Sequence, residues 1–240
     1  MCAATLPGDK HLIVSHEHKF IFVKTTKTAG TSIEVALSSY CGPRDIITPI
    51  SPEDEGLRGV AGGVPPQNYH IGLRSLGRSD LWRLLRSGRG REFRNHSSAA
   101  FIRRYVGEAV WNSYYKFTVE RDPFDKAISR YYWSTAPPRP PLADYIASAP
   151  ETHLSNWHIY TIADVVAVDF VARYERLTEE LMGVARRIGL QGTLELPRAK
   201  GGHREQRAHY SRMIDEVSRA RLEAVCAREM KEFGYAWRDA

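Results

Sequence analysis

The sequence predicts an α/β chain, a three-layer sandwich in which helices cover both faces of a central, mostly parallel sheet. Two stretches carry that prediction. Phe20 to Val23 is an apolar run without alternation, rich in β-branched and aromatic residues, as a strand covered on both faces requires. It leads through Lys24–Gly30 into a pattern with Ile33, Leu37 and Tyr40 at helical spacing. Phe117 to Val119 repeats that order, followed by a turn and by Phe124, Ile128 and Tyr131. A third apolar stretch, Val165 to Val171, precedes Leu177, Leu181, Val184 and Ile188, which mark one more helix. Strands alternating with helices imply parallel pairing through helical crossovers. At 240 residues, one domain spanning 1–240 is enough to bury a full core.

Taken in order, the residues before Lys19 are polar and read as loosely organised, with His16 and His18 as loop histidines. Small hydroxyl residues, two lysines and Gly30 break the first strand, and Thr31 or Ser32 can cap the helix that follows. Residues 41–95 are crowded with Gly, Pro and Arg, including SPEDEG and GGVPPQ, and show one short helical candidate at Asp80 to Arg86. A segment this irregular inside a compact domain is expected to serve function, here as part of a ligand pocket and its lid. Ser97 to Val106 predicts a helix with Phe101, Ile102 and Tyr105 on its apolar side, ended by Gly107, and a brief turn around Trp111 leads to the second strand. Asp122 and Pro123 supply cap and first-position signals for the next helix. Pro137 to Pro141, with Arg139 at its centre, is a stiff connector that cannot sit inside a sheet. Ile214 to Phe233 reads as a final helix.

The chain carries 34 Lys and Arg against 28 Asp and Glu, a net +6 that favours anionic ligands. Much of the excess lies in the arginines between Arg74 and Arg104, whose plain reading is a solvated face. Cys2, Cys41 and Cys226 are odd in number and far apart, and make neither a disulfide framework nor a zinc site. No apolar run reaches the ~18 residues of a membrane span, and no signal-like segment opens the chain. The expected setting is soluble and cytoplasmic, with no metal and no nucleic acid.

A loop that feeds a helix N-terminus offers unpaired N–H groups and the positive end of a dipole to one point, where a phosphate belongs. The Lys24–Ser32 loop has no Gly-Lys-Ser/Thr and so is not the phosphate loop of P-loop kinases and NTPases. TTKTAGTS instead resembles the 5′-phosphosulfate loop of sulfotransferases that use 3′-phosphoadenosine 5′-phosphosulfate (PAPS), a family similar to P-loop kinases in fold. KFTVERDPFDKAISRYYW resembles the family's 3′-phosphate segment, with Arg121 and Ser129 at its spacing. The resemblance implies that Lys24 and the backbone of Thr28, Ala29, Gly30, Thr31 and Ser32 hold the 5′ group. It gives Lys27 the charge on the departing oxygen, and Arg121 with Ser129 the 3′-phosphate.

Transfer to a hydroxyl also needs a base, for which histidine suits neutral pH. His96, in RNHSSAAFIRRYVGEAVWNSYYKF, stands where two-O-sulfating carbohydrate sulfotransferases carry a similar histidine; His70 is the fallback and Glu120 a weaker choice. RAKGGHREQRAHY resembles the family's Arg-Lys-Gly closing segment, which implies donor contacts from Lys200, Gly201 and Gly202. The resemblance therefore implies a soluble, bacterial-like carbohydrate sulfotransferase, with a sugar or glycolipid hydroxyl as acceptor. A P-loop kinase, or a non-catalytic module that binds polyanions through the arginine-rich middle, are the rival readings.

Overall fold

In a computed structural model of the chain, residues 12–88, 90–93, 96–192, 194–197 and 208–240 are described. The strands are β1 (Ile13–Ser15), β2 (Phe20–Phe22), β3 (Ile46–Ile47), β4 (Tyr115–Glu120), β5 (Thr161–Ile162), β6 (Val165–Val166) and β7 (Phe170–Arg173). Five of them form one sheet in the order β3-β1-β2-β4-β7. β2 pairs β4 in parallel, with Phe20 opposite Tyr115, and β4 pairs β7 in parallel, with Phe117 opposite Phe170. β1 runs against both of its neighbours. The three parallel strands thus end at one edge, where the chain turns into Lys24, Arg121 and Tyr174.

The helices are α1 (Gly30–Ser38), α2 (Pro52–Val60), α3 (Arg78–Ser87), α4 (Ala99–Val106), α5 (Glu108–Ser113), α6 (Pro123–Ser134) and α7 (Leu142–Ser148). They continue with α8 (Glu151–Leu154), α9 (Trp157–Tyr160), α10 (Leu177–Arg187), α11 (Glu216–Val225) and α12 (Ala227–Phe233). Alternate residues of β2 serve different cores. Phe20 and Phe22 pack with Phe117 and Val119 against α1 and α10, whereas Ile21 and Val23 pack against α4, Trp111 and Tyr160. A third apolar cluster joins α6 to α7, α8 and α11 through Phe124, Ile128, Ile146, Leu154 and Leu222. No helix among the described residues is long and apolar enough to cross a membrane.

Several expectations needed correction. The described residues before Lys19 are not loose: β1 is fully buried and forms a hairpin with β2. Thr31 and Ser32 lie inside the first turn of α1, and the cap position belongs to Ala29 in the left-handed region at φ 59°. The stretch expected to be one strand from Val165 to Val171 is divided between the small β5–β6 hairpin and the edge strand β7. The single helix expected from Ile214 to Phe233 starts at Glu216 and breaks at Cys226. Asp122, by contrast, caps α6 as expected, accepting from Phe124 N at 2.9 Å and from Asp125 N at 3.2 Å.

The 41–95 segment is the largest correction. Besides α3, which covers the short helix expected at Asp80 to Arg86, it holds β3 and α2, and α2 begins at the Ser51 cap with Pro52 in its first turn. Hydrophobic periodicity missed α2 because the residues it buries are Asp54 and Arg58. Arg58 reaches Glu34 of α1 at 3.4 Å and the Thr48 carbonyl at 3.3 Å, while Lys24 reaches the other oxygen of Glu34 at 3.3 Å. The segment is therefore tied into the polar interior, not hung outside it.

Asp80 plays the same part for α3. Its buried carboxylate accepts from Gly77 N at 3.1 Å, Arg91 Nε at 2.8 Å, Tyr105 Oη at 2.9 Å and Arg104 at 3.4 Å. Burial alone pushes the carboxyl up, but hydrogen bonds from Arg91, Gly77 and Tyr105 outweigh it and hold the group below its ordinary 3.8. A carboxyl depressed in the folded state stabilises the fold above its unfolded value, and that contribution fades as pH falls through the folded value. Asp80→Asn should therefore cost roughly 1–3 kcal/mol at neutral pH. In denaturant titrations the gap from wild type should narrow below pH 4 or so; a gap that stays constant down to acid pH would remove the ionised carboxylate from this account.

Candidate functional site

The loop between β2 and α1 is held by side chains from distant parts of the chain. Asn156, fully buried between α8 and α9, accepts from Thr26 N at 3.0 Å and Thr26 Oγ1 at 2.7 Å, and donates to the Thr26 carbonyl at 3.2 Å. Thr25 Oγ1 bonds the Val119 carbonyl, and Thr118 Oγ1 bonds the Val23 carbonyl at 2.6 Å. Arg121 donates to the Lys27 carbonyl at 3.0 Å. So fixed, the loop holds Lys27 and Ala29 at φ 60° and 59°, a conformation that costs on the order of 1 kcal/mol per non-glycine residue.

Left-handed residues in such a loop turn successive N–H groups toward one concavity, the geometry of an anion nest. α1 adds its own N-terminus. Its first intrahelical bond runs from Ile33 N to the Ala29 carbonyl, no side chain among the described residues caps this end, and no acidic residue occupies its first turn. The positive end of the helix is thus not neutralised locally by a carboxylate. Lys24, expected among the donor-binding residues, lies under the loop. Its side chain runs beneath Gly30, where an added Cβ would lie 2.6 Å from Lys24 Cγ, and its Nζ meets Thr31 Oγ1 at 3.0 Å and Glu34 at 3.3 Å. Gly30 is therefore required by close approach at a negative φ, and Lys24 supports the loop from below.

The second segment faces the loop along one side of α6. Asp125, Ser129 and Trp133 recur at i, i+4 and i+8 and so share a helix face. Arg121 grips Asp125 at the near end through Nε at 2.9 Å and a second N–H, with its guanidinium 4.1 Å from the centre of the Tyr174 ring. Lys27 Nζ lies 5.3 Å from the centre of the Trp133 ring at the far end. Ser129 sits between those two contacts. Arg121 is thus both the partner of an aspartate and a brace of the loop between β2 and α1.

His96 reaches the same loop from the end of the 41–95 segment. Its Nδ1 is 3.0 Å from the Lys24 carbonyl. A carbonyl only accepts, so this contact places a proton on Nδ1. His70 lies elsewhere, exposed, with Nδ1 3.8 Å from Glu92 and its ring against Tyr69. Glu120 is unsuited to act as a base. It is fully buried, with Oε1 accepting from Lys126 Nζ at 2.9 Å, Asn156 Nδ2 at 3.2 Å and Arg121 N at 2.9 Å, and burial pushes its carboxyl up. Lys200, Gly201 and Gly202 lie outside the described residues.

Sequence reasoning missed Asn156, Glu34, Trp133 and Tyr174. Trp133 was within reach, being one helical turn beyond Ser129 on a face already marked by Asp125. Asn156 was not, because its role comes only from the path of the chain. Asn156→Ala should lower stability by roughly 2–3 kcal/mol by stripping buried partners from Thr26. It should also speed amide exchange at Thr26 more than at Ile21 in the adjoining strand; equal acceleration at both would mean general loosening and no specific hold on the loop.

A family model described as the sulfotransferase family matches residues 10–236, nearly the whole chain. An uncharacterized protein of Archaeoglobus fulgidus is 31% identical over 109 residues, which cover 41% of this chain and 87% of that protein. No solved structure matches. With its two strand-to-helix turns meeting at one sheet edge and a family match along nearly its full length, the chain belongs to the sulfotransferase family.

Proposed function

We propose that this protein transfers a sulfuryl group from PAPS to a hydroxyl of a sugar or glycolipid, as a single sulfotransferase domain of the three-layer, P-loop-like kind. One observation carries the reading. Residues far apart in sequence converge on one loop: His96 on the Lys24 carbonyl, Arg121 on the Lys27 carbonyl, and Lys27 and Arg121 at either end of the α6 face that holds Ser129.

The residues fit a ligand with two anionic groups. PAPS brings a sulfuryl group already activated by its bond to phosphate. The Thr28–Ser32 backbone, with the uncapped α1 terminus, suits its 5′ end. Three of the five N–H groups of Arg121 are used by Asp125 and Lys27, so two remain for a phosphate, with the Ser129 hydroxyl one turn beyond Asp125. Lys27, half-buried, offers an ammonium beside the loop to offset charge developing on the leaving oxygen. His96 Nε2 accepts the proton of the acceptor hydroxyl, and residues 41–95, which end beside it, shape the acceptor side.

The test is thermal stabilisation by 3′-phosphoadenosine 5′-phosphate beside AMP and Mg·ATP. A ligand at a hundred times its Kd adds roughly 2.7 kcal/mol, and only the 3′-phosphorylated nucleotide should shift the melting temperature. Ser129→Ala should weaken that nucleotide about 10-fold with an unchanged unliganded melting point, the cost of about one charge-assisted hydrogen bond. Lys27→Ala and His96→Ala should each reduce kcat by about a hundredfold or more with little change in nucleotide affinity. Stabilisation by Mg·ATP alone would select a kinase, and indifference to every nucleotide would select a polyanion-binding module.

A further inference from the structure

Helix α3 turns its apolar side to solvent. Leu81, Trp82 and Leu85 are 43, 67 and 87% exposed, and Leu73 in the preceding turn is 67% exposed. With Arg78 the three helical residues follow the i, i+3, i+4, i+7 spacing of a single stripe. One exposed leucine is ordinary, but a contiguous stripe marks a contact surface.

The helix cannot roll to bury it. Asp80 lies on the opposite side, buried, and its carboxylate takes donors from Gly77, Arg91, Tyr105 and Arg104. Rolling would strip a buried charge of Arg91, Tyr105 and Arg104, the three donors outside the helix, a larger loss than the apolar burial would return. The outward face is therefore built into the fold.

Charge says what covers it. From Leu73 to Arg91 the sequence has six arginines and one acid, and that acid is the internally paired Asp80. Arg78 and Arg86 are exposed on the helix itself. A second copy docked face to face would bring like charges together, whereas a negatively charged lipid surface offers phosphates to the arginines and acyl chains to the leucines and tryptophan. We propose that α3 docks this protein on anionic phospholipid membranes, with Leu81, Trp82 and Leu85 entering the interface and Arg78 and Arg86 meeting headgroup phosphates. A patch this small gives reversible, peripheral attachment. The proposal stands apart from the choice of sulfuryl donor.

The full chain would be sedimented with vesicles of phosphatidylcholine alone and of phosphatidylcholine mixed with phosphatidylglycerol. Binding is expected only to the mixed vesicles. It should fall about tenfold or more in Arg78→Gln/Arg86→Gln, and likewise in Leu81→Ser/Leu85→Ser, whose melting points should match wild type because those side chains are exposed. Acyl-chain-brominated lipid should quench part of the tryptophan emission in wild type, and this part should be missing in Trp82→Phe. Absence of binding to mixed vesicles, binding undiminished in both double variants, or quenching unchanged in Trp82→Phe would each overturn the proposal. So would a dimer in lipid-free solution that Leu85→Ser dissolves.

Discussion

The carboxamide of Asn156 is the contact on which the candidate site depends. It satisfies the N–H, hydroxyl and carbonyl of Thr26 at once, while its own backbone N–H donates to Glu229 of α12 at 3.0 Å. A loop with two left-handed non-glycine residues would relax if it were free to do so. Here relaxation would unpair buried polar groups, each of which costs more than the strain released. The loop geometry is therefore a property of the tertiary structure, reached through residues more than a hundred positions away.

The same economy governs the rest of the sheet edge. β4 sends Phe117 and Val119 into one apolar core and presents Lys116, Thr118 and Glu120 to the other face, buried. Thr118 holds the carbonyl of Val23, just past β2, and Glu120 gathers Lys126 and Asn156, so a strand with polar residues on one side becomes the support of the loop that follows β2. Cys226, beside this cluster, has its thiol pushed up to about 12 by burial, and belongs to the packing and not to any thiolate chemistry.

What could be read from the sequence followed from local rules. The order strand, loop, helix at Phe20 and again at Phe117 needed only apolar runs and capping chemistry, and the arrangement of Arg121, Asp122 and Pro123 matched it. What escaped lay where burial is polar. α2 buries Asp54 and Arg58, so no hydrophobic period announces it. The cap of α1 escaped because Ala29 works through its dihedral angles and not its side chain. Lys24 could not be distinguished from Lys27 by composition. Only the close approach of Gly30 shows that one lysine lies under the loop while the other reaches across to Trp133.

Glu229 lies near the end of the chain, yet its carboxylate takes Ser155 Oγ at 2.6 Å and Asn156 N at 3.0 Å, and Asn156 in turn holds the loop that begins at Lys24. During synthesis β2 and α1 emerge well before Asn156 and α12, which supply the brace. The nascent chain thus carries this loop without its full brace until α12 has left the ribosome. Docking of α12 and fixing of the loop are, for this molecule, one event.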